Sequence, residues 1–394
     1  GQHILLWDLD YIPDLERLKN RKAMSEEQLD QALKEIKEAA TNKNQINPDT
    51  DNVLDILCTY YKKFEHGDKY LEYRERRKSV SIGDIHGCFD SLDQTFKQFG
   101  GVGSEEFMKM KFIFTGDYVD RGSKSLEVMM YVFALAVRYP DNVVVLRGNH
   151  EIYSTNVLYG FYLECQDRIK EKEGTPKGQE GQEIHFYFNY VFAYMPIVCL
   201  HNNVLYSHGG MTRTKFTNMQ ELNKIMPHFI WDSMFCNATA HDFLWSDPKE
   251  GISGFLWDKD RGAYLYGANV VHQFVKDHPE VKMIVRGHQC MFNGWEFFAG
   301  RLLVCIFCTA GYDLTVYNNH GAVMVIEENY DIYFIKFAGV RLADRSVYKG
   351  PVHRALMERI VEEHNMNNLY PNIKADYVKV AKPIADAPSE TVRL

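Results

Sequence analysis

The stretch Val80-Ser81-Ile82-Gly83-Asp84-Ile85-His86-Gly87 reads as a buried strand ending in a tight turn that carries two ligand-type side chains. The pattern returns twice. Phe112-Ile113-Phe114 runs into Gly116-Asp117-Tyr118-Val119-Asp120-Arg121-Gly122, and Val143-Val144-Val145-Leu146 runs into Gly148-Asn149-His150-Glu151. Intervals of about thirty residues suit β-α-β units. In open α/β sheets, ligands bind just beyond the carboxyl ends of strands. The spacing therefore predicts one rim that gathers Asp84, His86, Asp117, Asn149 and His150.

Two later segments extend the set. His208 lies in Tyr206-Ser207-His208-Gly209-Gly210 after the apolar pair Val204-Leu205. His288 lies in Arg286-Gly287-His288-Gln289 after Met283-Ile284-Val285. Asp84, His86, Asp117, Asn149, His208 and His288 are then six candidate metal ligands. Six is too many for one catalytic ion that keeps open positions, and it suits two ions bridged by a shared carboxylate. Carboxylate, amide and imidazole ligands suit Mn, Fe or Zn. No Cys lies in these clusters, which argues against a structural thiolate zinc site.

From about Asp51 to Lys336 the chain resembles the phosphoprotein phosphatase (PPP) family of metal-dependent serine/threonine phosphatases, part of the calcineurin-like metallophosphoesterase superfamily. Besides the clusters above, the resemblance rests on Tyr159-Gly160-Phe161-Tyr162, Leu244-Trp245-Ser246-Asp247-Pro248 and Asp260-Arg261-Gly262. It implies an α/β fold with a central two-sheet β-sandwich flanked by helices. It also implies two divalent ions, Mn first, with Fe, Zn or Mg as alternatives. Asp84 and His86 would bind the first ion, and Asp117 would bridge. Asn149, His208 and His288 would complete the second site. His150 would be the general acid, oriented by Asp120. Arg121 and Arg261 would clamp the phosphate, with Tyr312 beside it.

Physical chemistry supports those roles independently. A phosphate monoester dianion repels an anionic nucleophile. Two ions about 3.5–4 Å apart bind phosphate oxygens and generate a bridging hydroxide for direct attack. Two divalent ions set against two ligand carboxylates and a hydroxide, with two guanidiniums added, leave a cationic pocket. The planar fork of Arg grips phosphate bidentately. A seryl or threonyl alkoxide leaves poorly, so a positioned acid contributes about 10²–10⁴-fold. No Cys-x5-Arg loop is present to form a phosphoenzyme.

Some stretches depart from the family. Its usual Ser-Ala-Pro-Asn-Tyr-Cys-like loop is Cys308-Thr309-Ala310-Gly311-Tyr312-Asp313 here. Asp313 adds negative charge at the rim and should disfavour acidic inhibitors or substrates. Cys88 replaces a common Gln. Residues Glu171 to Gly181 form an apparent insertion whose Gly, Pro and charges read as a mobile surface loop. Arg261, in Lys259-Asp260-Arg261-Gly262, reads on its own equally as a charged turn.

The remaining composition sets limits. The chain has 394 residues, 45 % of them hydrophobic and 25 % charged, which is ordinary for a soluble globular protein. A net charge of -8 argues against unaided nucleic-acid binding. No apolar run is long enough to span a bilayer. Gly1 to Trp7 is too short and uncharged for a secretory signal. Eight dispersed Cys suit a reducing compartment, cytoplasm or nucleus. Cys305 and Cys308 lie in an apolar strand-like run and read as packing rather than redox groups.

Three parts are expected: an N-terminal extension over 1–50, a catalytic domain over 51–337, and a C-terminal extension over 338–394. Ser25-Glu26-Glu27-Gln28 is a capping box opening a helix with Leu29, Leu33, Ile36 and Ala40 on one face. Thr41 to Thr50 reads as a linker. Pro351 starts a second helix with Val352, Leu356, Ile360 and Val361, followed by a flexible tail from Lys382. Each stripe must be buried on the core or on another protein, so the extensions are candidate docking elements for regulatory or targeting proteins.

The expected function is a protein serine/threonine phosphatase acting on phosphoserine and phosphothreonine proteins. A dinucleoside polyphosphate hydrolase is the alternative within the superfamily. Such relatives typically lack the Asp-Arg pair kept here as Asp120-Arg121. A structural or docking protein on a phosphatase scaffold would be expected to have a broken ligand set, and this one is intact.

Overall fold

The structure is a computed structural model that describes residues 13–41, 45–312, 319–337 and 377–380. Its strands, in chain order, are β1 (Tyr70–Tyr73), β2 (Ser79–Ile82), β3 (Lys111–Phe114), β4 (Val143–Val145), β5 (Val198–His201), β6 (Val204–Ser207), β7 (Asp247–Pro248), β8 (Phe255–Asp258), β9 (Ala263–Tyr266), β10 (Met283–Arg286), β11 (Trp295–Phe298), β12 (Leu303–Ile306), β13 (Gly321–Ile326), β14 (Ile332–Phe337) and β15 (Tyr377–Val380). They form one six-stranded sheet in the order β1-β5-β6-β10-β12-β11 and another in the order β15-β14-β13-β2-β3-β4. A small sheet, β7-β9-β8, stands apart.

Side-chain alternation explains the layering. In β3, Ile113 joins an inter-sheet cluster with Tyr206, Val285, Val304 and Met324. Its neighbours Phe112 and Phe114 point the other way into a second cluster. Successive strand side chains alternate faces, and here both faces are buried, so the strands read as continuous apolar runs. Helices α1 (Glu26–Thr41), α2 (Thr50–Phe64), α3 (Phe89–Lys97), α4 (Ser125–Arg138), α5 (Phe161–Arg168) and α6 (Gln179–Phe192) cover that second cluster. Helices α7 (Ala238–Trp245) and α8 (Ala268–Asp277) pack on the outer face of the other sheet. The expected two-sheet sandwich flanked by helices is what the chain forms.

β2, β3 and β4 are parallel neighbours, as are β6, β10 and β12. An isolated bridge joins Asp84 to Phe307, so the carboxyl ends of β2 and β12 meet. The six candidate ligands therefore arrive at one edge from both sheets.

The N-terminal segment belongs to this core. Ser25 N–H donates to Gln28 Oε1 at 2.9 Å, and Gln28 N–H to Ser25 Oγ at 3.2 Å, completing the predicted box. Leu18, Leu29, Leu33, Ile36 and Ala40 are buried in the same cluster as α2 and α4. The α1 stripe is thus covered by the core, and a partner would have to use other surfaces. The linker is pinned too: Ile46 N–H donates to Glu127 Oε1 at 2.8 Å, and Arg168 Nη2 donates to Ile46 O at 2.6 Å.

Residues 172–177 form a mostly exposed surface loop as expected, but the reading of 171–181 needs correction at its C-terminal end. Gln179 to Gly181 are the first turn of α6. Glu180 is buried, accepting from Thr50 Oγ1 and from Arg17 Nη2. A Cβ on Gly181 would lie 2.2 Å from Cys165 O, so α5 and α6 meet there at a distance only Gly allows. β15 pairs antiparallel with β14, so the sheet extends past residue 337. The helix expected from Pro351, the tail from Lys382 and Asp313 lie outside the described residues. Among the described residues, no helix is long and apolar enough to cross a membrane.

Candidate metal centre

Three loops after β2, β3 and β4 carry Asp84, His86, Asp117, Asn149 and His150. The loops after β6 and β10 carry His208 and His288. His86, Asp117, Asp120, Arg121 and His288 all have φ between 45° and 73°. Such non-Gly conformations cost on the order of 1–3 kcal/mol each and persist where surrounding structure over-determines them. Here Gly148 and Gly287 permit the crowding. A Cβ on Gly148 would stand 2.3 Å from the backbone N and Oδ1 of Asp117, and one on Gly287 2.6 Å from Asp84 Oδ1.

Backbone carbonyls aim the imidazoles. His86 Nδ1 donates to Val119 O at 2.9 Å, which turns Nε2 toward Asp117 Oδ2 at 3.4 Å and Asp84 Oδ2 at 3.6 Å. His208 Nδ1 donates to Thr115 O at 3.0 Å, which turns Nε2 toward Asp117 Oδ2 at 3.1 Å. This is how metal-binding imidazoles are usually oriented. His86, Asp117 and His150 form one group whose ligand atoms lie within 4.8 Å of each other, and Asp117, His208 and His288 form a second. Asp117 is common to both groups, the position that the family resemblance gives to a bridging carboxylate.

Asn149 supplies the test of fit. Its Oδ1 lies 2.8 Å from His208 Nε2 and 3.0 Å from His288 Nδ1. With His208 Nδ1 already donating to a carbonyl, the neutral form that a metal ligand requires presents a lone pair at Nε2. An inward amide oxygen then faces acceptors, including the Asp117 carboxylate. Turning the amide over would let its nitrogen donate to the same atoms. A cation answers the cluster with the oxygen inward. Two carboxylates, an amide oxygen and three imidazoles fit a borderline-hard divalent ion.

The predicted non-ligand residues gather at the same cavity, about 380 Å³ in volume, whose lining includes Arg121, His150, Arg261 and Tyr312. Asp120 Oδ2 accepts from His150 Nδ1 at 2.6 Å. The other nitrogen, Nε2, lies 3.9 Å from Asp117 Oδ2. The guanidinium of Arg121 stacks 4.4 Å from the Tyr159 ring centroid, and its buried Nε–H has no acceptor among the described residues. Arg261 rests on the rim, with Nε 2.8 Å from Asp247 Oδ2 and Nη2 2.7 Å from His288 Nε2. The Tyr312 ring stacks on His86 at 5.3 Å. Burial pushes its hydroxyl up to about 12, so it remains a donor.

Two supporting residues carried no role in the sequence reading. Glu151 accepts from the N–H groups of Asp117, Tyr118 and Gly148 at 2.9, 2.7 and 2.9 Å. It thereby fixes two ligand loops to one carboxylate. Asp247 accepts from Arg286 Nη2 at 2.6 Å while holding Arg261, so it links both guanidinium motifs. Both lie in motifs named above, but Glu151 reaches Asp117 and Tyr118, and Asp247 reaches Arg286, across 33 to 39 residues, which spacing alone does not reveal.

Electrostatics show a site short of positive charge. Burial opposes ionisation of Asp117, yet the imidazoles of His208, His150 and His86 outweigh it and hold the carboxyl well below its usual range. Burial likewise disfavours charging His86, but the carboxylates of Asp84 and Asp117 hold its pKa up at about 9. That raised value stabilises the metal-free fold below about pH 6.5, and the contribution is lost as pH rises through about 9. A divalent ion binding at His86 must displace this proton. Loading with Mn in weak buffer is expected to release protons near about pH 7–8, fading as pH passes about 9. Release that stays constant across that range would remove His86 from the ligand set.

Residues 78–292 match the family described as calcineurin-like phosphoesterase. Among solved structures, the fold is similar to a protein serine/threonine phosphatase from Saccharomyces cerevisiae that is described as having similarity to human phosphatase PP5. That likeness has 23 % identity and a TM-score of 0.69, over 82 % of this chain and 99 % of that one. A cold-active protein-tyrosine phosphatase of a psychrophile Shewanella species follows at 18 % identity and TM-score 0.41, over 71 % and 84 %. A putative diadenosine tetraphosphatase has 13 % identity and TM-score 0.36, over 68 % and 97 %. The family match takes in more than half of the chain and every one of the six converging ligands, and on that ground the chain belongs to the calcineurin-like phosphoesterase family.

Proposed function

We propose that this phosphoesterase is a protein serine/threonine phosphatase of the phosphoprotein phosphatase group, acting on phosphoserine and phosphothreonine in proteins. The observation that carries the reading is the His150–Asp120 pair at 2.6 Å beside the buried Nε–H of Arg121, which has no acceptor among the described residues. An alkyl phosphoester needs both a protonated leaving oxygen and a held phosphate. Arg121 and Arg261 bind the phosphate oxygens. Asp120 keeps the His150 ring turned so that Nε2 delivers a proton to the departing seryl or threonyl oxygen. Tyr312 donates from the rim. Two divalent ions in the cradle of Asp84, His86, Asp117, Asn149, His208 and His288 would supply positive charge for phosphate and acidity for a water nucleophile. Among the described residues the eight cysteines form no disulfide, which supports a reducing compartment, cytoplasm or nucleus.

The test compares substrates on the metal-loaded chain. Phosphoserine and phosphothreonine peptides should be hydrolysed with higher kcat/KM than diadenosine tetraphosphate. Arg121→Ala should weaken binding of a phosphate analogue at least tenfold, because a charge-assisted contact worth about 1.5–3 kcal/mol is lost, without a change in fold. Faster cleavage of the dinucleotide than of any phosphopeptide would replace this reading with the polyphosphate hydrolase.

A further inference from the structure

A buried polar knot lies behind the acid pair, and the chemistry above gives it no role. Asn156 Nδ2 donates to the backbone O of His150 at 3.0 Å and to Asn189 Oδ1 at 2.8 Å. Asn156 Oδ1 accepts from His185 Nε2 at 2.6 Å and from Asn189 Nδ2 at 3.1 Å. Asn189 Nδ2 also donates to the backbone O of His185 at 2.9 Å. All three side chains are fully buried. The rings of Tyr162, Tyr153 and Phe161 surround His185, with centroids 5.0, 5.2 and 5.7 Å away. Phe161 in turn gives its backbone N–H to Asp120 Oδ1 at 2.9 Å.

We infer that His185, acting through Asn156 and Asn189, is a positioning residue that sets the His150–Asp120 pair for proton transfer to the leaving group. The inference rests on the phosphatase reading above. An amide can present either end to a neighbour, and the two ends have opposite hydrogen-bonding character. His150 O can only accept, so Asn156 must turn its nitrogen toward it. The donor at His185 Nε2, at 2.6 Å the shorter of the two bonds to Asn156 Oδ1, reinforces that direction together with Asn189 Nδ2. With the donor removed, Asn156 Oδ1 keeps only the longer bond from Asn189 Nδ2, and the amide that donates to the His150 carbonyl is held less firmly. The same ring packs on Phe161, whose N–H holds the far oxygen of Asp120. His185 therefore touches both supports of the acid pair while contacting neither partner.

The residue type supports a role beyond filling space. In this aromatic box an apolar ring would pack without polar cost. His185 Nδ1 is buried with no hydrogen-bond partner among the described residues. A buried unsatisfied nitrogen is disfavoured, so the histidine is poorly chosen as filler and well chosen as a donor. Burial lowers its pKa to about 3. The ring stays neutral at working pH and offers one N–H.

The test reads leaving-group dependence. Metal-loaded wild type, His185→Phe and His185→Gln are assayed on aryl phosphates of graded leaving-group acidity and on a phosphoserine peptide. His185→Phe keeps the ring and loses the donor, whereas Gln restores an N–H donor. With the acid displaced, esters of poor leaving groups should lose about 10–100-fold in kcat. p-Nitrophenyl phosphate, whose anion departs unprotonated, should change about threefold or less, and KM should hardly move. His185→Gln should recover most of the loss. An equal fall across the series, or no fall at all, would overturn the proposal. If His185→Phe does not fold, Asn156→Asp, which replaces the donor to His150 O by an oxygen at the same volume, must show the same steepened dependence. Wild type that handles the aryl series but ignores phosphopeptides would sink the protein phosphatase reading alone.

Discussion

Replacing His150 by alanine should lower turnover on a phosphoserine peptide by about 10²–10⁴-fold while both ions stay bound. The geometry makes this a test between two roles. His150 lies close enough to His86 and Asp117 to be grouped with them as a possible ligand. Its Nδ1, however, is taken by Asp120 at 2.6 Å, and its Nε2 stands 3.9 Å from Asp117 Oδ2, farther than the Nε2 atoms of His86 and His208. A general acid needs one nitrogen oriented and the other presented to substrate, and this arrangement supplies both. The loss should be small for p-nitrophenyl phosphate, whose leaving group needs no proton. Metal analysis of the variant separates the roles: two ions per chain with slow alkyl-ester hydrolysis supports the acid. One ion per chain would make His150 a ligand and leave the reaction without an identified acid.

What the sequence discloses about this site follows from what local pattern can encode. β2, β3, β4, β6 and β10 are each an apolar run cut off by Gly, and each delivers its ligand within a few residues of the strand end. Strand polarity then brings Asp84 and His288 to one edge, although 204 residues separate them, with His288 N–H on Asp84 Oδ1 at 3.0 Å. Roles that depend on partners across elements are not encoded this way. Glu151 stands in a quoted motif, yet it acts on the Asp117–Tyr118 backbone. His185 and Asn189 sit on one face of α6 like any buried pair, and only the packing of α6 behind the His150 loop gives them Asn156 as a partner. The apolar stripe of α1 is legible from its spacing, but its burial on the core is not. For 171–181, Gly, Pro and charged residues fill the composition, while the buried contacts of Glu180 and Gly181 decide its C-terminal end.

Asp117→Asn should have the largest effect on metal binding, reducing the affinity of both ions, whereas Asp84→Asn should weaken one. Asp117 alone belongs to both ligand groups. Its Oδ2 faces His86 Nε2 at 3.4 Å on one side and His208 Nε2 at 3.1 Å on the other. Two unit charges about 4 Å apart at an effective dielectric constant of about 20 interact by about 4 kcal/mol, so loss of the carboxylate charge beside a divalent ion should cost at least about 10³-fold in affinity. For a bridging carboxylate, that loss falls on each ion. The fold should survive the change. Asn tolerates the left-handed backbone at φ 61°, and its side-chain oxygen can still accept from His150 N–H, as Asp117 Oδ1 does at 2.9 Å. Metal titration with circular dichroism as a folding control provides the measurement. A folded Asp117→Asn chain that retains two ions at wild-type affinity would show that the two groups do not share this carboxylate. If one ion remains tightly bound, Asp117 is a terminal ligand and the second ion needs another anion.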